Sequence, residues 1–164
     1  MNTVGYCIEA FEYDARGNRV RESFFDTQEE PVLWDTGYAA IAYEYDSRNN
    51  RTVELNLGTD GNPVMTSDGY AKQVTAWDAW GNKRLIETYD ADGNPCADSD
   101  GLFRMEIDCD ARGNILRIEF FGKDGNLIMY KGDFALATCE YDAAGNMVSV
   151  VLYDESGNVI DASP

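Results

Sequence analysis

One feature constrains this chain above all others: a Tyr-Asp-type pair returns every 32 residues without a slip in register. The pairs are Tyr13-Asp14, Tyr45-Asp46, Trp77-Asp78, Cys109-Asp110 and Tyr141-Asp142. Four residues after each aspartate comes an asparagine, at Asn18, Asn50, Asn82, Asn114 and Asn146. Glycine precedes it at Gly17, Gly81, Gly113 and Gly145, with Asn49 as the substitute in the second copy. Self-similarity at this period identifies a repeat array. Five copies, 5–36, 37–68, 69–100, 101–132 and 133–164, make a single repeat domain spanning residues 1–164.

The segment D-x-x-G-N is a turn with a mechanism. Aspartate bonds the backbone ahead of it, and glycine and asparagine tolerate the positive φ that reverses the chain. Asn18, Asn82, Asn114 and Asn146 are therefore expected at positive φ beside their glycines. A second turn of the same chemistry lies at Asp60-Gly61-Asn62, Asp92-Gly93-Asn94, Asp124-Gly125-Asn126 and Ser156-Gly157-Asn158, and has decayed to Gln28-Glu29-Glu30 in the first copy. A third break falls at Gly5-Tyr6, Gly37-Tyr38, Gly69-Tyr70 and Gly101-Leu102, with Asp133-Phe134 in the last copy. Three breaks leave three strands per unit: a long one such as Tyr38 to Tyr45, a middle one such as Met147 to Tyr153, and a short one such as Pro63 to Thr66.

Ala40-Ile41-Ala42-Tyr43-Glu44-Tyr45 alternates with period two, as does Ile115-Leu116-Arg117-Ile118-Glu119-Phe120, which indicates strands. The apolar phase of the middle strand differs between copies. Copies one, four and five place apolar residues at Val20 and Phe24, Leu116 and Ile118, Val148 and Val150; copies two and three place them one step later, at Val53, Leu55 and Leu85. Such a step exchanges the faces of a strand. It calls for either a bulge in copies two and three or cover on both faces.

Composition narrows the function. The chain has 13 basic and 30 acidic residues, a net charge of −17, and no histidine. The commonest general base and the commonest transition-metal ligand are thus missing. A surface this negative repels phosphate backbones and anionic lipid, so neither nucleic acid nor membrane is an expected partner. The opening MNTVGYCIEAFEYD lacks a basic segment followed by an apolar run, and no stretch of apolar residues is long enough to span a bilayer, so no secretion signal or membrane span is read. Compartment is left open. Cys7, Cys96, Cys109 and Cys139 sit at four phases of the repeat, which predicts reduced, mostly buried thiols rather than a zinc site or a repeated disulfide.

Tyr-Asp-Ala-x-Gly-Asn between apolar strands resembles the YD repeats of the RHS family, which build large β-sheet shells around toxin cargo. A weaker likeness, through Gly37-Tyr38-Ala39 and Gly69-Tyr70-Ala71, is to WG-type repeats. Neither family carries catalytic residues in its repeats, so both resemblances imply a module without catalysis.

Candidate chemistry points the same way. Catalysis by a Ser/His or Cys/His pair has no histidine to use. Paired carboxylates could serve glycoside hydrolysis, but these acids recur at corresponding phases, where a turn explains them. Asp90, Asp92, Asn94 and Asp98 resemble the start of an acidic calcium loop, yet Pro95 and Gly101 stand where an EF-hand needs glycine and glutamate. They are weak metal candidates, and no cofactor is expected. Tyr6, Tyr38, Tyr70 and Phe134, with Tyr13, Tyr45, Trp77 and Tyr141, form two aromatic ladders if units stack; packing explains most of these rings. Trp34 and Trp80, in or beside turns, and Tyr38 and Tyr70 are the candidate ligand contacts.

The reading is an all-β tandem array of five β-hairpin units, β-solenoid-like or an elongated curled antiparallel sheet, with a closed five-fold ring as the alternative. The expected function is a non-catalytic scaffold or recognition module, part of a larger protein, that binds protein or glycan. Alternatives are a purely structural self-associating array and an acidic calcium-binding repeat. Unpaired terminal strands, Gly5 to Tyr13 and the Met147 to Tyr153 hairpin, suggest a homodimer through an end.

Overall fold

The computed structural model describes residues 8–163, all of whose regular structure is β. Each copy supplies a long strand and a middle strand. These are β1 (Ile8–Tyr13) and β2 (Arg19–Phe25), β3 (Ala40–Tyr45) and β4 (Arg51–Leu57), and β5 (Lys72–Trp77) and β6 (Lys83–Tyr89). β7 (Arg104–Cys109) and β8 (Ile115–Phe121), then β9 (Leu136–Tyr141) and β10 (Met147–Tyr153), complete the five pairs, and β11 (Val159–Ser163) follows. They form one antiparallel sheet in chain order from β1 to β11. A sheet with two end strands is the open antiparallel form expected, not the closed ring. By contact density the chain divides into two compact units, one running to Val74 and including Thr88–Ser99, the other Thr75–Glu87 with Asp100 onward.

The third strand of each unit forms only once. At Pro31, Pro63, Pro95 and Leu127 the short segment touches its middle strand through an isolated bridge, to Phe25, Leu57, Tyr89 and Phe121 respectively. The residue after the bridge still donates to the middle strand, as Val32 N does to the Phe24 carbonyl at 3.0 Å and Ile128 N to the Phe120 carbonyl at 3.0 Å, and the chain then leaves to reach the next long strand. In the last copy the same segment continues along β10 as β11.

The D-x-x-G-N hairpins close as designed by their residues. Gly17 donates to the Asp14 carbonyl at 3.1 Å and Asp14 to the Asn18 carbonyl at 2.9 Å. A register shift beside the turn, between Glu12 and Tyr13, Glu44 and Tyr45, and Asp108 and Cys109, gives the five-residue hairpin its bulge. Positive φ falls on Gly17, Gly81, Gly113, Gly145 and Asn49, not on the following asparagine. The expectation for Asn18, Asn82, Asn114 and Asn146 is thereby corrected. Asparagine is there for its amide: Asn18 Nδ2 donates to Asp14 Oδ2 at 2.9 Å, and the same bond recurs at Asn50, Asn82, Asn114 and Asn146.

The one-step difference between middle strands does not come from a bulge confined to copies two and three. β2, β4, β6 and β8 meet the next long strand at corresponding residues: Glu22 pairs with Ile41, Glu54 with Gln73, Ile86 with Met105 and Ile118 with Ala137. The register is shared and the faces differ in chemistry. The sixth position of the middle strand is Phe24, Asn56, Thr88 or Phe120, and all four are buried.

Candidate functional site

The repeated aspartates are committed to backbone. Asp14 Oδ1 accepts from the amides of Arg16 and Asn18, both at 2.9 Å, and Asp46, Asp78, Asp110 and Asp142 repeat this pair of bonds. The Asn18 side chain, then the backbone amides, hold the Asp14 carboxyl below its ordinary range; Asp46, Asp110, Asp142 and Asp154 are shifted the same way by their own asparagines.

The second turn uses two versions of the same device. Copies one, three and five begin it with Asp26, Asp90 and Asp154, whose Oδ1 accepts from the second and fourth residues ahead. Copies two and four begin it with Gly58 and Gly122, and there Asp60 and Asp124 bond Asn62 and Asn126 instead. A Cβ at Gly58 or Gly122 would lie 3.2 Å from the substitute carboxylate, a tight contact that the third copy, with both Asp90 and Asp92, accommodates by bonding through Asp90. The first copy's turn has not decayed: Asp26 ties it, and Glu29 takes the left-handed position at φ 64°.

The long loops hold the aromatic candidates. Trp34 stacks on Phe24 with centroids 5.1 Å apart, and Tyr38 tilts against the same ring at 5.8 Å. In the fourth copy Phe120 takes Tyr130 at 4.8 Å and Phe134 at 5.4 Å. Burial pushes the Tyr38 and Tyr70 hydroxyls up to about 12, with the Glu54 and Asp68 carboxylates among the charges adding to it. In the second and third copies the corresponding loop groups are Thr66 and Asp98. Thr66 Oγ1 donates to the Tyr70 carbonyl at 3.1 Å, and Thr88 Oγ1 to the Cys96 carbonyl at 2.8 Å. Adjacent loops also bond each other, Ser67 N to the Thr36 carbonyl and Ser99 N to the Asp68 carbonyl. A Cβ on Gly69 would sit 2.6 Å from Ser99 N, so close approach fixes glycine there.

Trp80 stands apart. Its amide is held by Asp78 Oδ1 at 2.8 Å, while its residue is 68% exposed at the tip of a hairpin turn. Structure therefore brings Trp34 and Tyr38 together around Phe24 and leaves Trp80 projecting. Of the weak metal candidates, Asp90 spends its carboxylate on the Asp92 and Asn94 amides and the Asn94 side chain. Among the described residues no cluster of three histidine, cysteine or acidic side chains could hold a metal ion.

Two features escaped the sequence reading. A groove of about 260 Å³ is lined by Arg21, Ser23, Phe25 and Pro31 with Ala40 and Gly61. A second groove of about 350 Å³ is lined by Arg117, Leu127, Leu136, Thr138, Tyr153 and Gly157, of which Arg117, Leu127, Leu136 and Gly157 stand three copies on from Arg21, Pro31, Ala40 and Gly61. The signal was present as arginine at one phase of copies one and four, where copies two and three have Val53 and Leu85. The second feature is a charged stack in the first unit. The Tyr43 ring lies between the guanidiniums of Arg19 at 5.3 Å and Arg51 at 5.0 Å, and its hydroxyl donates to Glu22 Oε2 at 3.2 Å. Cys96, Cys109 and Cys139 are half-buried thiols, less enclosed than expected: Cys96 lies in a loop, Cys109 ends β7 and Cys139 lies within β9; Cys7 lies outside the described residues.

No family model matches the chain, and no curated protein matches it. Among solved structures it is similar to TcdB2-TccC3-TEV, at 13% identity and a TM-score of 0.36 over 96% of this chain. The chain spans about 10% of that chain's length. What the fold defines is a repeat module: an all-β array of hairpin units.

Proposed function

We propose that this chain is a non-catalytic recognition module of the YD-repeat type, a scaffold that presents side chains to a protein or glycan partner. The observation that carries the reading is Trp80. A tryptophan 68% exposed on a turn whose backbone is pinned by Asp78 adds little to the core, while the turn fixes the point from which its indole is presented. Rigid, half-apolar rings of this kind lose little entropy on contact, which is why tryptophan dominates binding surfaces. The YD-repeat assignment is supported by the turn itself, in which tyrosine or its substitute ends a strand and aspartate, glycine and asparagine each fill a separate bonding role. The absence of catalysis is supported by the use of the repeated carboxylates as turn acceptors.

The test is a glycan array and a protein pulldown with the intact chain, repeated with Trp80→Ala. Binding should weaken at least tenfold while stability changes by no more than about 0.5 kcal/mol, as for other surface substitutions. Partner binding indifferent to Trp80, or turnover of a glycosidic substrate abolished by one carboxylate substitution, would overturn the proposal.

A further inference from the structure

The junctions between copies share one register. Arg21, Glu22 and Ser23 of β2 lie opposite Ala42, Ile41 and Ala40 of β3. Val53, Glu54 and Leu55 meet Val74, Gln73 and Lys72 in the same way, and Arg117, Ile118 and Glu119 meet Thr138, Ala137 and Leu136. Every such junction joins a middle strand to the long strand of the following copy. In β10 the equivalent residues are Ser149, Val150 and Val151.

Along that edge of β10 lies β11, with Val150 opposite Ser163, Val151 opposite Ala162, Leu152 opposite Asp161 and Tyr153 opposite Val159. Its counterparts in copies one to four make their single bridge and leave. β11 thus occupies on β10 the place that a following long strand occupies on β2, β4, β6 and β8. The complementary half of a junction is exposed on β1, a long strand with no middle strand before it among the described residues. All six of its residues are exposed. Ile8 is 39% exposed, whereas Ala40 and Leu136 at the equivalent position are 3% and 8% exposed beneath β2 and β8.

We propose that β11 is an exchangeable cap on a docking edge for a second copy of this chain: β1 of that copy displaces β11 and pairs with β10. Ala10, Glu9 and Ile8 then lie opposite Ser149, Val150 and Val151, in the register of the internal junctions. The proposal does not depend on the recognition reading above. β11 wins in the isolated chain because the Asp154–Asn158 turn tethers it, giving it a local concentration that a free copy reaches only on the order of millimolar. The net charge of −17 further opposes approach of a second copy at low salt.

The test compares three full-length chains by sedimentation velocity at about 0.15 M salt, where exposed charge is largely screened. The unaltered chain should run as a single species near 18.3 kDa. Ile160→Pro with Ser163→Pro, which strips β11 of amides on the side of β10, should give a concentration-dependent series of multiples. Adding Glu9→Pro to that pair should return the monomer. A labelled peptide of residues 5–14 should bind the β11 variant at least tenfold more tightly than the unaltered chain, and circular dichroism shows whether the variants keep their sheet. A folded β11 variant that stays monomeric and takes up no peptide, or assembly that persists with Glu9→Pro, overturns the proposal.

Discussion

The first and fourth copies carry their loops on aromatic rings, while the second and third carry loops of the same backbone on polar groups. In the former, Phe24 and Phe120 each take two further rings from the loop above. In the latter, Asn56 and Thr88 stand at that buried position, 3% and 5% exposed. Hydrogen bonds do there what rings do elsewhere, Thr66 to the Tyr70 carbonyl, Thr88 to the Cys96 carbonyl, and Ser67 and Ser99 to the loops beside them. On the other face the pattern reverses: Val53 and Leu85 replace Arg21 and Arg117. The lesson is that the repeat specifies a backbone and a register, while each copy distributes its apolar residues between the two faces in its own way.

Deleting a ring should expose the difference most strongly. Phe120→Ala removes the centre of a three-ring cluster and is expected to cost about 3–5 kcal/mol. Asn56→Ala, which removes a buried polar group whose neighbours keep their backbone bonds, should cost about 1–3 kcal/mol. Urea titrations of the two variants decide it, and equal losses would mean that the loop cores are equivalent after all.

Glycine substitutions sharpen the same contrast. Gly69→Ala places a Cβ against the Asp98–Ser99 backbone at φ 89° and should cost about 2–3 kcal/mol. Gly37→Ala meets nothing within 4 Å at its left-handed φ, so the cost should stay near the backbone term of about 1 kcal/mol. Thermal melts of the pair measure whether loops two and three are pressed together as the close approach implies.

The turn aspartates give a smaller, pH-dependent effect. The Asp110 carboxyl is held below its ordinary value, first by the Asn114 side chain. Its folded pKa is depressed, so the unfolded chain binds the proton more readily and the stabilisation is present above the unfolded value of about 3.9. It is lost as pH falls through the lower folded value. Asp110→Asn should therefore melt below the unaltered chain at neutral pH, and the gap should close on acidification. A gap that widens toward low pH would contradict the assignment.

Much of this fold was legible because backbone chemistry repeats. Aspartate, glycine and asparagine at fixed spacing announced the hairpins, and period-two alternation announced β3 and β8. What was not legible has physical causes. Local preference could not show that Pro31, Pro63 and Pro95 touch the sheet once and leave, since that depends on where the next long strand docks. Positive φ was misplaced on asparagine because its tolerance of that region is visible in sequence, whereas the bond from Asn Nδ2 to Asp Oδ2 is not. The shifted apolar phase left a bulge and cover on both faces as alternatives, because the two leave the same pattern in sequence. Trp80 was legible as a turn tryptophan; the grooves beside Arg21 and Arg117 were not, since they join residues from adjacent copies.

The central claim is that each later long strand is held by the middle strand before it, that β1 has no such strand beside it among the described residues, and that β11 fills the corresponding place on β10. Native-state hydrogen exchange, read strand by strand on the monomer, tests it most directly. The account expects amides of Ile8–Tyr13 to exchange well ahead of those of Ala40–Tyr45 and Leu136–Tyr141, with β10 protected along both edges. Protection of β1 equal to that of β3, or rapid exchange along β10 from Val150 to Tyr153, would contradict it.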